Sequence, residues 1–308
     1  MTLPLISVVV TTKDEEKHIG NCLASIAAQD YPADRLEIIV VDNDSDDKTK
    51  EIARKYTDKV FDKGPERNVQ RNYGLLEVAT GQYCMWIDAD MILSPSVIKA
   101  CLETIRATDD VALNIPEIVL GRGFWSKVRR FERSFYDNTV IDGCRFIRTD
   151  AMVKSGGFAH EWTHGPDDWD LDKKLKALGS IGYVQQTESD SSWGPIRDYI
   201  NARGVETSQQ KVSIYHNESD FDMSFYLAKK RYYAPNLEPY VLRWGKNDPD
   251  VKKQLGLWYR YFGVFIESGK WKKLLRHPVL SLGMWCLRTF VGVIYLTEKN
   301  KKVEEASA

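Results

Sequence analysis

The chain has 308 residues, 43 basic against 44 acidic side chains, and 43% hydrophobic composition. That length and apolar content can bury one large core or two modest ones, which excludes a disordered chain. A net charge of -1 supplies no global field for nucleic acid, so no nucleic-acid partner is expected.

Five cysteines, an odd number without CxxC spacing and mostly inside apolar runs, fit a reducing compartment. The opening MTLPLISVVVTTKDEE has no basic region before its apolar stretch and passes directly into a strand pattern. It does not resemble a secretory signal, so a cytosolic location is expected.

In chain order, Leu5 to Thr11 is an apolar β-branched run, Ile19, Leu23, Ile26 and Ala27 recur at helical spacing, and Leu36 to Val41 is a second buried strand. A polar helix over Lys48 to Tyr56, a helix over Glu66 to Val78 and a strand over Tyr83 to Ile87 continue the alternation. This predicts an α/β fold, a mostly parallel Rossmann-type sheet flanked by helices. Ligands of such sheets bind beyond the carboxyl ends of the strands. Asp14 with Glu15, Asp42 to Asp47, and Asp88 with Asp90 all follow strands, so three acidic clusters fall at that one edge. Helix capping alone would not group them there.

After the first strand no glycine occurs until Gly20, so no glycine-rich loop can cradle a pyrophosphate. A metal or basic side chains must neutralise it instead. Trp86-Ile87-Asp88-Ala89-Asp90 places two carboxylates at a strand end, where both can turn toward one hard cation, Mg²⁺ or Mn²⁺, that bridges to phosphate oxygens.

The stretches SVVVTTKDEE, IIVVDNDSDDKT, RNYGLLEVATGQYCMWIDADMILSP, KSGGFAHEW and PDDWDLDKKLKALG, in this order over about residues 5 to 180, resemble the successive blocks of family 2 inverting glycosyltransferases with the GT-A fold. The resemblance implies that Thr11, Lys13, Glu15, Asp42 and Asn43 face the nucleoside, and that Asp88 and Asp90 form the metal and diphosphate motif. Asn43 stands where the family often has an aspartate, and its amide both donates and accepts. Lys13 stands where the family often has an aromatic residue. Arg67 and Arg71, one helical turn apart, either face the phosphates together or remain solvated helix charges.

Asp168 precedes Leu171 by three residues and Leu175 by seven, so it shares their inward stripe at a helix start. It either caps that helix or does chemistry. The resemblance makes it the base that removes the acceptor proton, with Asp167 in place of the family's glutamate. His216, in IYHNE, resembles a late block whose histidine completes the metal site, and Lys229 with Lys230 resembles a lysine pair near phosphates. A structural histidine is the alternative. In this alignment residues 186 to 213 form an insertion over the acceptor side.

From Trp258 the chain becomes amphipathic. Val279 to Leu296 is 18 mostly apolar residues with Arg288 near its middle and basic flanks at Lys270, Lys272, Lys273, Arg276, Lys299, Lys301 and Lys302. An interfacial helix with Arg288 reaching toward headgroups is expected rather than a span, the alternative being a core helix. The tail from Lys299 to Glu305 is expected to fray.

The organisation expected is a GT-A-like catalytic domain over 1–235 and a helical, membrane-associated region over 236–308. The resemblance implies an inverting transfer from a nucleoside-diphosphate sugar, with Mn²⁺ or Mg²⁺, to a lipid-linked or other glycan acceptor at the cytoplasmic face of a membrane. A nucleotidyltransferase would need a glycine-rich basic loop that is missing. A non-catalytic relative would be expected to lose Asp168 or the Asp88–Asp90 pair, and both are present.

Overall fold

The computed structural model describes residues 3–161, 165–186, 193–194, 196–207, 211–219 and 221–307, without the side chains of 268 and 299–307. The strands are β1 (Ile6–Thr12), β2 (Leu36–Asp42), β3 (Val60–Asp62), β4 (Tyr83–Asp88), β5 (Met91–Leu93), β6 (Ala112–Asn114), β7 (Glu117–Leu120), β8 (Cys144–Arg148), β9 (Ile181–Tyr183) and β10 (Ile214–Asn217). The helices begin with α1 (Ile19–Ala27), α2 (Thr49–Ala53), α3 (Arg67–Asn72), α4 (Val97–Thr108), α5 (Phe124–Arg133), α6 (Thr149–Ser155) and α7 (Asp167–Lys176). They continue with α8 (Ile196–Asn201), α9 (Met223–Tyr233), α10 (Leu237–Trp244), α11 (Pro249–Leu255), α12 (Val264–Ile266), α13 (Lys272–Arg276) and α14 (Pro278–Ser307).

Seven strands form one sheet in the order β3-β2-β1-β4-β8-β6-β9, parallel except that β8 runs against β4 and β6. β1 is buried along its whole length, which is why it reads as an unbroken β-branched run. Its side chains alternate between layers: Ile6, Val8 and Val10 join a core with α1 and α4, whereas Val9 joins one with α6 and α7. The sheet is therefore the middle of three layers, as expected. The helix expected over Glu66 to Val78 is α3 followed by a π-helical stretch, Tyr73–Val78. Gly74 lets this stretch approach β1, since a Cβ there would lie 2.4 Å from a Val9 methyl. β5, β10 and β7 form a second, three-stranded sheet.

The chain divides into two compact units, Met1–Ile118 with Gly143–Thr163 and Asp167–Asn217, and Val119–Asp142 with His164–Pro166 and Glu218–Ala308. In the second, α14 packs on α5 and α9, and Phe135 meets Phe265 edge-on at 4.8 Å. Two expectations are corrected here. Arg288 is buried, its Nε donating to Glu132 at 3.1 Å and its Nη2 to the Tyr136 hydroxyl at 2.7 Å, because an intramolecular carboxylate competes for it better than distant headgroups. The tail expected to fray continues α14 to Ser307.

Candidate active site

Parallel register brings the ends of β1, β2 and β4 level, pairing Thr11 with Asp88 and Thr12 with Asp42. The three acidic clusters therefore share one edge. Asp42 is wholly buried and accepts from the Ser45 amide and hydroxyl, both at 2.6 Å, so it shapes the turn after β2. Asn43 donates from Nδ2 to the Pro65 carbonyl at 2.7 Å, and Lys13 donates to the Asn43 carbonyl at 3.1 Å. Glu15 follows the same edge. Burial and the nearby Asp90 and Asp88 push its carboxyl up to about 7.

Arg71, on α3, is 1% exposed. Its guanidinium donates to Asp88 at 3.0 Å, Asp167 at 3.0 Å and Asp168 at 3.3 Å, and stacks 3.8 Å from the centre of the Trp86 ring. It is not a solvated helix charge. Arg67, one turn earlier, reaches Asp167 at 3.1 Å. Despite the burial of Asp88, Arg71, Arg67 and Arg145 hold its carboxyl far below the usual range.

The two aspartates at the start of α7 differ. Asp167 is 1% exposed and held by both arginines, whereas the Asp168 side chain is 36% exposed. Partial burial and the charge of Asp167 push the Asp168 carboxyl up. Gly143 backs it: a Cβ at that position would lie 3.1 Å from the Asp168 Cβ. Asp168 is thus a reachable carboxylate with raised basicity, suited to taking a proton.

Antiparallel pairing of β10 with β5 sets His216 opposite Met91, next to Asp90. His216 Nε2 lies 3.1 Å from Asp90 Oδ2, and Nδ1 lies 2.9 Å from Glu117 Oε1. The two carboxylates outweigh burial and hold the imidazole well above its usual range. Glu117 also accepts from Arg145 at 3.2 Å, and Arg145 lies over Trp86, 4.3 Å from the ring centre. Sequence reasoning missed Glu117 and Arg145; the one available signal was a carboxylate inside the apolar strand EIVL.

Among the described residues no group of three or more His, Cys, Asp or Glu side chains forms a ready metal cage. Asp90 and His216 nevertheless fit a divalent cation. Asp90 Oδ1 is buried without a hydrogen-bond partner, and Mg²⁺ or Mn²⁺ sites often take one or two protein ligands plus substrate phosphates. Asp88 turns instead to Arg71 and Thr11, the latter at 3.3 Å.

Lys229 and Lys230 lie on α9 in the second unit. Burial and Arg129 push Lys230 down to about 7, and its Nζ sits over the Tyr226 and Tyr233 rings. The expected insertion falls partly on 187–192, 195 and 208–210, outside the described residues, as does Trp162 of the KSGGFAHEW block. Its described part contains α8, whose Tyr199 hydroxyl lies 3.5 Å from His18 Nδ1.

A three-layer α/β domain with acidic, basic and imidazole side chains gathered at the carboxyl edge of its parallel strands is of the GT-A class. The profile of Glycosyl transferase family 2 matches residues 7–159, and the chain belongs to that family. Glycosyltransferase AglE of Haloferax volcanii is 32% identical over 35% of this chain and 37% of its own length. Poly(ribitol-phosphate) beta-N-acetylglucosaminyltransferase TarS of Staphylococcus aureus is 33% identical over 38% and 22%. The matched stretches therefore span well under half of either relative. A Methanococcus voltae dolichyl N-acetyl-alpha-D-glucosaminyl phosphate glucuronosyltransferase is 24% identical over 70% of this chain and 67% of its own.

The fold is shared with mannosyltransferase PcManGT from Pyrobaculum calidifontis in complex with GDP-Man and Mn²⁺, at TM-score 0.56, 18% identity and coverage of 95% of this chain and 87% of that one. It is shared also with S. aureus TarS 1–349 in complex with UDP-GlcNAc, at TM-score 0.53, 17% identity and coverage of 98% and 92%.

Proposed function

We propose that this family 2 member transfers a sugar, with inversion, from a nucleoside-diphosphate sugar to an acceptor hydroxyl. The observation that carries the reading is the single buried guanidinium of Arg71 joining Asp88 to Asp167 and Asp168. It holds the end of the donor-side strand β4 against the start of the helix that bears the base.

Asp168 takes the proton from the acceptor hydroxyl as that oxygen attacks the anomeric carbon, on the side opposite the departing diphosphate. Lys13, Glu15 and Asn43 line the nucleoside side, with the buried Thr11 and Asp42 shaping the edge behind them, and Asp167 keeps Arg71 and Arg67 in place. Asp90 and His216, with Asp88 beside them, would hold Mn²⁺ or Mg²⁺. Such a cation offsets the charge that grows on the diphosphate. Lys229 and Lys230 are assigned to phosphate contact by family resemblance. The donors bound by PcManGT and TarS support a nucleotide sugar but leave the base open between guanine and uracil.

The acceptor assigned is a lipid-linked glycan precursor at the cytoplasmic face of a membrane. The dolichyl-linked substrate named for the M. voltae relative and the apolar helix Pro278–Glu298 support it. Residues 1–235 would carry the catalysis and 236–308 the membrane contact.

The test is release of nucleoside diphosphate from a panel of nucleotide sugars, with Mn²⁺, Mg²⁺ or excess chelator, and assignment of the product anomer by NMR. Cation-dependent turnover of one donor with inversion is expected. Retention of configuration, or full activity in chelator, would overturn the corresponding part of the reading.

A further inference from the structure

Large hydrophobic side chains are exposed unevenly between the two units. In the larger first unit they are Leu3, Tyr56, Val153 and Leu178; among the described residues all the others fall in the second. Among these, α14 presents an ordered face. Val279, Leu282, Phe290, Val293 and Leu296 are between 44% and 71% exposed, and Cys286 lies exposed in the same series. At about 100° per residue these positions occupy an arc of roughly 120°, over a length of roughly 26 Å. The opposite arc, with Met284, Leu287, Arg288 and Ile294, is buried.

The exposed face carries no charge. The exposed polar residues in it, Thr289 and Thr297, return their hydroxyls to carbonyls of their own helix, at 2.9 Å to Trp285 and 3.1 Å to Val293. The face therefore leaves no side-chain donor that needs water, as hydrocarbon requires and a solvated helix surface does not.

Neither flank closes over it. On one side the π-helical stretch Tyr259–Gly263 meets α14 at Trp285, which donates to the Tyr261 carbonyl at 3.4 Å, and its Phe262 is 56% exposed. On the other, Phe124 approaches Gly283 and is itself 45% exposed. Just before the helix, Lys272 and Arg276 are exposed beside exposed Trp271 and Leu275, the mixture of aromatic and basic residues that suits anionic headgroups.

We propose that α14 lies in the plane of an anionic bilayer, with the face from Val279 to Leu296 in the outer hydrocarbon and Phe262 and Phe124 beside it as shallow wedges. This rests on the membrane reading above and specifies its geometry. A span is disfavoured by packing, since α14 is fastened to α5 through Arg288 and Glu132. Inserting it would draw in Arg129, Arg130 and Arg133 of α5, each costing roughly 2.5–3.5 kcal/mol at the bilayer centre. Because the other arc of α14 is core, deleting the helix would unfold the unit, so the test must be made on the exposed face.

Cys286 is exposed while Cys22, Cys84, Cys101 and Cys144 are buried, so a nitroxide can be placed there on the full native chain. The protein is floated with vesicles of phosphatidylcholine, alone or with phosphatidylglycerol, and label depth is read from accessibility to oxygen against a nickel chelate. Labels at Leu282→Cys and Val293→Cys, in a Cys286→Ser background, give depth along the helix.

We expect co-flotation that is stronger with the anionic lipid, and the same shallow oxygen-rich depth at all three positions. The pair Leu282→Glu with Val293→Glu should lower partitioning at least tenfold while leaving the melting temperature unchanged. Depth that changes steadily from 282 to 293 would overturn the in-plane geometry and leave membrane binding standing. Absence of flotation would overturn both. Spin–spin broadening between copies that persists on vesicles would assign the face to a second copy of the chain and overturn the proposal.

Discussion

Asp88 and Asp168 accept hydrogen bonds from the two ends of one guanidinium, at 3.0 Å from Arg71 Nη2 and 3.3 Å from Nη1. A residue at the end of a sheet strand and one at the start of a helix are thereby held by one rigid planar group. Lysine, with a single nitrogen, cannot make this bridge. Arg71→Lys should lower kcat by about 10² or more, by the precedent of small misplacements in active sites. It should also lower Tm, since it leaves Asp167 with Arg67 alone. A kcat within a few-fold of wild type would remove Arg71 from the positioning role.

Asp168→Asn keeps the size of the side chain and an acceptor for Arg71 but cannot take a proton. Turnover should fall by about 10² to 10⁴, with near-normal melting and donor binding. Because the carboxyl is pushed up, the acid limb of kcat in the wild type should lie above the ordinary aspartate range, activity falling as pH falls through it. Wild-type turnover in the variant, with earlier melting, would make Asp168 a helix cap.

Glu117 meets His216 Nδ1 at 2.9 Å and so leaves Nε2 turned toward Asp90. Such carboxylate partners of ligating histidines typically contribute 10- to 100-fold in metal affinity. Glu117→Ala should weaken Mn²⁺ binding in the nucleoside-diphosphate complex by about that factor, as read by electron paramagnetic resonance. Unchanged Mn²⁺ affinity would reduce Glu117 to a partner for Arg145.

Asp172 is buried and accepts from the Cys144 amide at 3.1 Å, and burial pushes its carboxyl up to about 7. An unfolded aspartate titrates near pH 4, so the folded state holds this proton more tightly. Its contribution to stability is therefore full below about pH 4 and is lost as pH rises through about 7. Asp172→Asn can still accept from the amide and has no charge to bury. It should gain roughly a few kcal/mol over wild type at pH 8, with the gain vanishing toward pH 4, in denaturant titrations. A gain independent of pH would show that Asp172 titrates normally.

Glu132 is buried between Arg129, at 2.6 Å, and Arg288. Glu132→Ala leaves Arg288 without a carboxylate and should cost about 3–5 kcal/mol, measured as a drop in unfolding midpoint. The double change Glu132→Leu with Arg288→Met should recover much of that loss.

The strands of the central sheet were legible because β1 and β2 are β-branched and β4 is a buried apolar and aromatic run, and their parallel register carried the acidic clusters to one edge. The site's wiring was not legible. Arg71 meets Asp167 and Asp168 across separations of 96 and 97 residues, and no periodicity encodes such pairings. Glu117 was not singled out, because a lone carboxylate at the start of a short apolar strand carries no sign of its partners. Arg288 was visible as a cation inside an apolar run, but its partner lies 156 residues earlier, and without it the arginine had to be sent to the headgroups. The interruption of the helix after Asn72 was hidden because a short π-helical stretch differs from an α-helix in its hydrogen bonding, here Ala79 N–H to the Gly74 carbonyl at 2.9 Å, and not in any residue type that marks it.

The contact between Gly143 and Asp168 has an entropic meaning. With the backbone at 143 close behind it, the acid has less room to turn on that side. Holding one side chain in a single orientation costs roughly 0.5–1.5 kcal/mol when it must be done at the moment of binding. Here that loss of freedom is incurred once, when the chain folds, and is not repeated with each substrate. The methyl that Gly143→Ala would add, 3.1 Å from the Asp168 Cβ, marks how little slack remains: a side chain as small as alanine's would force the acid to yield by a few tenths of an ångström.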